Sequence, residues 1–213
     1  MTIIGSLSGA TTRSPSGTRR LPARTEVRAR TSAPSSIRVL ARVPKGGTAL
    51  DLGCGAGSIT YELARRAHVV GLDRSSVQLA LAREAAPRAR FVRADIADVA
   101  FAPASFDVVV AFWTLIHVRR ERHAEVFAAI RAWLRSGGIL AGTFGSSDTP
   151  EDRSDFFGAP MAWSHFDART TRRLLQDAGF ELEQAEVIAD EGEQSLWVIA
   201  TIGPFAAGNT PPG

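Results

Sequence analysis

Between positions 48 and 202 the chain alternates short aliphatic runs with stretches whose apolar residues recur at helical spacing. Thr48–Leu52, His68–Leu72 and Ala89–Arg93 read as strands. A helix from about Ser58 to Arg66 separates the first two. A second helix starts at Ser75 or Ser76, carries Val77, Ala80, Leu81 and Ala85 on one side, and stops by Pro87. Phe106–Phe112 is an apolar run rich in β-branched residues, as expected for a strand covered on both faces. Val126, Phe127, Ile130, Trp133 and Leu134 line one face of a helix over about Arg119–Leu134, with Gly137-Gly138 as its stop. Ile139–Phe144 is the fifth strand. Residues 145–166 have no period and read as a long irregular insertion. A further helix runs from an Asp167 cap to Ala178, with Gly179 ending it. Phe180–Ile188 and Ser195–Ile202 then follow with no helix between them, so they should pair antiparallel. The alternation predicts an α/β fold with a doubly wound, Rossmann-like parallel sheet closed by a hairpin.

The flanks behave differently. Residues 1–35 are rich in Ser, Pro and Arg, lack periodicity and read as a disordered basic tail. Ile37, Leu40, Ala41 and Val43 fit a short helix ahead of Pro44, docked beside the first strand. The folded domain is thus expected over 36–203, with a loose tail over 204–213. The tail also explains the charge. Six arginines and Glu26 give residues 1–35 a charge of +5, which leaves −2 for the rest of a chain whose total is +3. Nucleic acid is therefore a weak expectation for the domain itself. Cys54 is the one cysteine, so no internal disulfide can form and a cytoplasmic setting is expected. No apolar stretch approaches the ~20 residues of a membrane span.

The chemistry concentrates where strands end. Asp51-Leu52-Gly53-Cys54-Gly55-Ala56-Gly57 joins the first strand to the first helix, and such a turn lets backbone approach a ligand closely. The second strand closes on Asp73, 20 residues after Gly53, where a carboxylate can accept from both hydroxyls of a ribose or favour the start of the next helix. Asp95 closes the third strand and can serve a ligand or cap a turn. No cluster of oxygen or nitrogen ligands suggests a metal site.

The D-x-G-x-G-x-G turn, Asp73, Asp95 and the Ser136-Gly137-Gly138 turn occur in the order found in class I S-adenosylmethionine (SAM) dependent methyltransferases. The chain resembles their small-molecule, UbiE-like or type-11 members over about Thr48–Thr201. The resemblance implies seven strands in the order 3-2-1-4-5-7-6, the last antiparallel. It implies SAM as cosubstrate and S-adenosylhomocysteine (SAH) as product. It places Asp51, Gly53, Cys54, Gly55 and Gly57 at the methionine end, Asp73 and Arg74 at the ribose, Asp95 and the Ile96 N–H at the adenine, and Phe112 and Trp113 along the pocket wall. The N-terminus departs from the pattern: a tyrosine-bearing helix usually closes over SAM, whereas the one tyrosine here, Tyr61, lies in the first helix.

His117 and His165 are the candidate bases, since a histidine can take a proton from an acceptor near neutral pH. Each could equally be a half-buried histidine bonded to backbone. His68 reads as a strand-edge residue and His123 as a helix-surface one. Phe156, Phe157, Met161, Trp163 and Phe166 make the insertion suited to a small, flat or apolar acceptor. The reaction expected is direct methyl displacement onto O or N. Three rivals stay open: a SAM-binding fold that no longer methylates, an RNA methyltransferase using the basic tail, and a nicotinamide oxidoreductase.

Overall fold

The computed structural model describes residues 39–156, 159–190 and 193–203. The expected tails over 1–35 and 204–213 lie outside the described residues, as does Ile37; residues 39–42 are helical. The elements that follow are β1 (Thr48–Leu52), α1 (Ser58–Ala64), β2 (His68–Asp73), α2 (Ser76–Ala85), β3 (Arg90–Arg93), β4 (Phe106–Ala111), α3 (His123–Trp133), β5 (Leu134–Gly145), β6 (Thr149–Phe156), β7 (Ala159–His165), α4 (Ala168–Asp177), β8 (Glu181–Asp190) and β9 (Glu193–Thr201). Two short 3-10 turns, Leu115–His117 and Arg120–Arg122, bridge β4 to α3.

Seven strands form one sheet in the order β3-β2-β1-β4-β5-β9-β8. The first five are parallel, and β9 runs antiparallel to both β5 and β8. This is the predicted order, with β8 and β9 as its sixth and seventh members. Side chains leave the two faces alternately, and each face has its own core. Leu50, Leu52, Val109, Leu140, Val198 and Ala200 pack with Val126, Phe127, Ile130 and Trp133 of α3 and Leu175 of α4. Ala49, Val69, Val108, Val110, Ala141 and Ile199 pack on the other face with Leu63 of α1 and with Val39 and Val43. An Arg42–Glu183 ion pair ties the helix at 39–42 to β8.

Helix starts follow local chemistry. Ser75 Oγ accepts from the Gln78 N–H at 3.3 Å to cap α2, and Asp167 Oδ1 accepts from the Thr170 N–H at 2.7 Å to cap α4.

Two expectations fail. Gly137-Gly138 is not the stop of α3, which ends at Trp133. Leu134 is already extended, fully buried and paired with Phe106. Residues 135–138 form an irregularity in β5, where the Gly137 N–H and the Gly138 carbonyl bond the carbonyl and N–H of Ile202 at 3.1 Å each. Burial of Leu134 and pairing to β4 thus end the helix before the glycines do. The second failure is the irregular insertion. Residues 149–156 and 159–165 form an antiparallel hairpin, β6–β7, with Thr149 opposite His165 and Phe156 opposite Ala159. The polar run Thr-Pro-Glu-Asp-Arg-Ser-Asp of β6 has no apolar alternation to announce a strand; its partner supplies the order.

Candidate functional site

The glycine turn, the ends of β2 and β4, and the β6–β7 hairpin converge beyond the C-terminal edge of the sheet, where open α/β sheets bind ligands. Asp73 organises one side. Its Oδ2 accepts from the Gly55 N–H at 2.9 Å and its Oδ1 from the Ser75 N–H at 2.8 Å. The carboxylate so joins the turn after β1 to the start of α2, and each oxygen keeps a lone pair for a diol.

The glycines divide the work. Gly53 has φ +66°, and a Cβ there would lie 2.0 Å from Thr114 Oγ1. At Gly57 a Cβ would lie 3.0 Å from Ala82 Cα, so it lets α1 approach α2. Gly55, with φ +51°, has nothing within 4 Å on that side. Of the three, Gly55 is the one that faces open space, next to Asp73.

Asp51 lies behind the turn, 3% exposed, and accepts from Thr60 Oγ1 at 2.5 Å. Burial pushes its pKa up to about 7, the Thr60 bond opposes the rise, and the Asp73 charge adds to it. Cys54 is buried, and burial with the two neighbouring carboxylates pushes its thiol well above the ordinary range. Its place is structural: the Cys54 N–H donates to the Leu72 carbonyl at 2.9 Å. Arg74 is exposed, and its carbonyl accepts from Arg93 Nε at 3.1 Å.

Asp95 lies beside Asp73, because the Ala94 N–H donates to the Asp73 carbonyl at 3.3 Å. Its Oδ1 accepts from the Ala97 N–H at 3.0 Å, so it caps its own turn and remains exposed. The Ile96 side chain packs into the core, which leaves its backbone as the polar part available to a ligand. Arg122 holds this loop from α3's side, with Nη2 donating to the Ala97 carbonyl at 2.8 Å.

At the end of β4, Phe112 and Trp113 both pack on Trp197, each with ring centroids 5.8 Å apart. Trp113 has φ +57°, a conformation costing a bulky residue of order 1–3 kcal/mol and found where a site over-determines it. Its N–H donates to Thr143 Oγ1 at 2.6 Å.

His117 sits in the turn after β4. Its Nδ1–H donates to the Ala162 carbonyl of β7 at 2.8 Å, and its ring lies 5.5 Å from that of Trp163. A carbonyl can only accept, so the other nitrogen, Nε2, carries the lone pair. Burial holds its pKa below the ordinary value; the Ala162 bond opposes this, and the charges of Arg74 and His165 reinforce it. Arg74, His117 and His165 are therefore electrostatic neighbours. His165 donates from Nδ1 to the Ser147 carbonyl at 2.9 Å and lies across Gly145, where a Cβ would be 1.9 Å from its Nδ1. Ser164 latches the hairpin: it accepts from the Arg120 N–H at 3.0 Å and donates to the Pro150 carbonyl at 2.7 Å. Met161, Trp163 and Phe166 are half-buried around this hairpin. Phe157 lies outside the described residues, and Phe156 is placed by its backbone pairing alone.

His68 is exposed as expected, but His123 is not a surface residue. It is 3% exposed, with Nε2 at 3.0 Å from the carbonyls of both Leu115 and Val118. Helical spacing put it at the start of α3; it could not reveal that the preceding chain folds back over it. The sequence reading also missed Thr114, Thr143, Ser164 and Trp197. A threonine inside an otherwise apolar strand was the available signal for Thr143. Among the described residues no group of three or more His, Cys, Asp or Glu is placed to hold a metal ion, and no helix is long and apolar enough to cross a membrane.

Residues 49–138 match the family model of a methyltransferase domain. The chain is 42% identical over 108 residues to a trans-aconitate 2-methyltransferase of Variovorax paradoxus, covering 48% of this chain and 41% of that protein. It is 29% identical over 162 residues to phosphoethanolamine N-methyltransferase 1 of Triticum aestivum, covering 72% of this chain and 32% of that one. The matches thus span less than half the length of these relatives. Among solved structures, a SAM-dependent methyltransferase of Methanosarcina mazei superposes with a TM-score of 0.68 at 23% identity, over 78% of this chain and 97% of its own. A 1,6-didemethyltoxoflavin N1-methyltransferase of Burkholderia thailandensis, with its substrate and SAH bound, gives 0.65 at 21% identity, over 84% and 82%. Sheet order, strand-end residues and matched domain agree: residues 49–138 match a methyltransferase domain, in a chain with the fold of SAM-dependent methyltransferases of known structure.

Proposed function

We propose that this protein moves the methyl group of SAM to a small-molecule acceptor. The observation that carries the reading is the Asp73 carboxylate, fixed by the N–H groups of Gly55 and Ser75 beside the open space at Gly55. In this reading Asp73 accepts from the ribose hydroxyls, and Arg74 lies alongside. Gly55 leaves room for the methionine end, with Gly53, Cys54, Gly57 and Asp51 shaping the turn from behind. Asp95 and the Ile96 N–H meet the adenine, and Phe112 and Trp113 form part of the wall.

SAM brings an electrophilic methyl carbon with it. The acceptor lone pair forms a bond to that carbon while the S–CH3 bond breaks, and the sulfonium electrons return to sulfur as SAH leaves. The protein's part is alignment and exclusion of water, which can supply roughly 7–11 kcal/mol of barrier lowering when geometry is near attack. An acceptor O–H or N–H must also lose a proton. His117 Nε2 is the group suited to take it, since burial keeps this ring neutral and the Ala162 bond turns the lone pair to Nε2. His165 stands on the same hairpin, with its Nδ1 on the Ser147 carbonyl. The half-buried Met161, Trp163 and Phe166 favour an acceptor with an apolar or flat portion.

A second reading of the acceptor is favoured by Arg74, whose charge bears on His117. An acidic acceptor would be drawn to that side, and one relative is named for a carboxylate acceptor, trans-aconitate. A carboxylate already carries its lone pair and needs no base.

Calorimetric titration with SAM and SAH, followed by mass-spectrometric detection of methyl transfer to small phenols, amines and carboxylic acids, tests both readings. Micromolar binding with SAH production on one class is the expected result. Binding without turnover on any acceptor would favour a non-methylating SAM protein. Binding of NADH in place of SAM would overturn the proposal. The rival RNA methyltransferase, which would use the basic tail, requires RNA affinity to be lost on deletion of residues 1–35; unchanged RNA affinity after that deletion would end it.

A further inference from the structure

The turn after β4 folds back over the start of α3, and one buried side chain sits beneath it. His123 is 3% exposed, and its ring centroid lies 5.9 Å from that of Phe127 and 6.0 Å from that of Phe166. Its Nε2 is 3.0 Å from the Leu115 carbonyl and 3.0 Å from the Val118 carbonyl. Both are acceptors only, so Nε2 carries the proton and bridges them. These two carbonyls bracket Ile116 and His117. The turn they close is otherwise held by two backbone bonds, His117 N–H to the Thr114 carbonyl at 2.9 Å and Val118 N–H to the Leu115 carbonyl at 3.1 Å.

The other nitrogen makes the arrangement informative. Nδ1 of His123 is buried and has no hydrogen-bond partner among the described residues. A buried acceptor without a partner is unfavourable, and an apolar side chain of similar volume would avoid it. A residue chosen only to fill space between Phe127 and Phe166 would therefore not be histidine. What histidine supplies here is one N–H able to reach two carbonyls from a rigid, buried ring.

We propose that His123 is a positioning residue: its Nε2–H clamps both ends of the Leu115–Val118 turn, and so fixes where His117 stands relative to the acceptor side of the site. The inference rests on the reading of His117 as the group that meets the acceptor. The clamp also explains how His117 can hold its Nδ1–H on Ala162 of the hairpin. The turn cannot drift, so the hairpin docks against a fixed surface. Burial lowers the His123 pKa, in keeping with a ring that stays neutral while it bridges the carbonyls.

The test is nuclear magnetic resonance of the full chain with labelled histidine, which needs no acceptor. In the unaltered protein His123 should be the Nε2–H tautomer, and the Nδ1–H tautomer would overturn the proposal outright. The second arm compares His123→Gln with His123→Met. These side chains have similar length and shape, but only the amide of glutamine can donate to the two carbonyls. With the glutamine variant, the His117 Nδ1–H signal and pKa should stay as in the unaltered protein. With the methionine variant, the Nδ1–H should exchange at least tenfold faster and the His117 pKa should move up toward its ordinary value. Identical behaviour of His117 in the two variants would overturn the clamp. SAH affinity, measured on the same samples by calorimetry, should change less than twofold in both. Failure of the unaltered protein to bind SAH would sink the methyltransferase reading while leaving the result on the clamp intact.

Discussion

The Gly55 N–H and Asp73 Oδ2 lie 2.9 Å apart, and that bond joins the segments that follow two neighbouring parallel strands. Leu52 of β1 stands opposite Leu72 of β2, so both chains leave the sheet at the same level. The glycine turn then folds back, and the carboxylate one residue beyond Leu72 meets its N–H. The other oxygen of Asp73 holds the Ser75 N–H, which sets the start of α2. One side chain thereby fixes the turn, the helix and the face offered to a ligand.

Asp73→Ala should remove the diol acceptor and loosen the turn together. Hydrogen bonds to a charged group contribute about 1.5–3 kcal/mol each, so SAM affinity should fall on the order of 100-fold. Asp73→Asn keeps one acceptor oxygen and should lose less. Calorimetry with SAM and SAH measures both, and an affinity within threefold of the unaltered protein for the alanine variant would remove Asp73 from the pocket.

Gly53→Ala and Gly55→Ala should fail in different ways. Both glycines have positive φ, which costs a non-glycine residue about 1–2 kcal/mol. At Gly53 the new methyl also collides with Thr114, so that variant should melt well below the other. At Gly55 the methyl meets no protein atom and enters the space assigned to SAM. Gly55→Ala should therefore stay folded, with only the backbone cost, and lose SAM binding at least tenfold. Thermal melts beside SAM titrations separate the two, and unaffected SAM binding in folded Gly55→Ala would show that the space is not used.

The alternation of strands and helices and the strand-end acids were legible because periodicity and spacing are local signals, whereas the sheet order came from the family resemblance. Three β-α units, a glycine turn and two acids at strand ends can be placed by counting. The hairpin β6–β7 was not, since its first strand is polar and its order comes from pairing across the turn. The end of α3 was misread for the same kind of reason. Gly137-Gly138 is a strong local stop, but Leu134 leaves the helix earlier to fill the core beneath Phe106. His123 was misplaced because its partners are carbonyls, which no sequence pattern displays. The strand-end segments could thus be placed from the sequence; the loops that fold over one another around His117 and the hairpin could not.

Ser164→Ala should loosen the hairpin without unfolding the domain. Ser164 is 4% exposed, and its hydroxyl links the Arg120 N–H to the Pro150 carbonyl. Its loss leaves a buried donor without its partner, a penalty of about 1–3 kcal/mol. A two-stranded sheet is marginal by itself, so this penalty should appear as local opening. Hydrogen exchange over residues 149–165 should speed by about tenfold, while α3 and β4 keep their protection. Uniform exchange across the chain would mean that the hairpin is not a separate unit held by this latch.

Asp51 should make stability fall as pH rises. Its carboxyl, near 3.9 in the unfolded chain, is pushed up to about 7 in the fold, mainly by burial. The folded state therefore binds the proton more tightly than the unfolded one. That preference contributes fully below pH ~4 and is lost as pH climbs through about 7. Above it, the fold must carry a buried carboxylate beside Asp73, at a cost on the order of 4 kcal/mol for a shift of roughly three units. Asp51→Asn keeps an acceptor for Thr60 and cannot ionise. Between pH 5 and pH 8 the variant should gain stability relative to the unaltered protein, by up to a few kcal/mol. Urea unfolding of both proteins at the two pH values gives the difference directly, since all other titrating groups cancel to first order. If the two proteins keep a constant stability gap across that range, Asp51 is already ionised at pH 5, and its bond to Thr60 must be strong enough to offset burial.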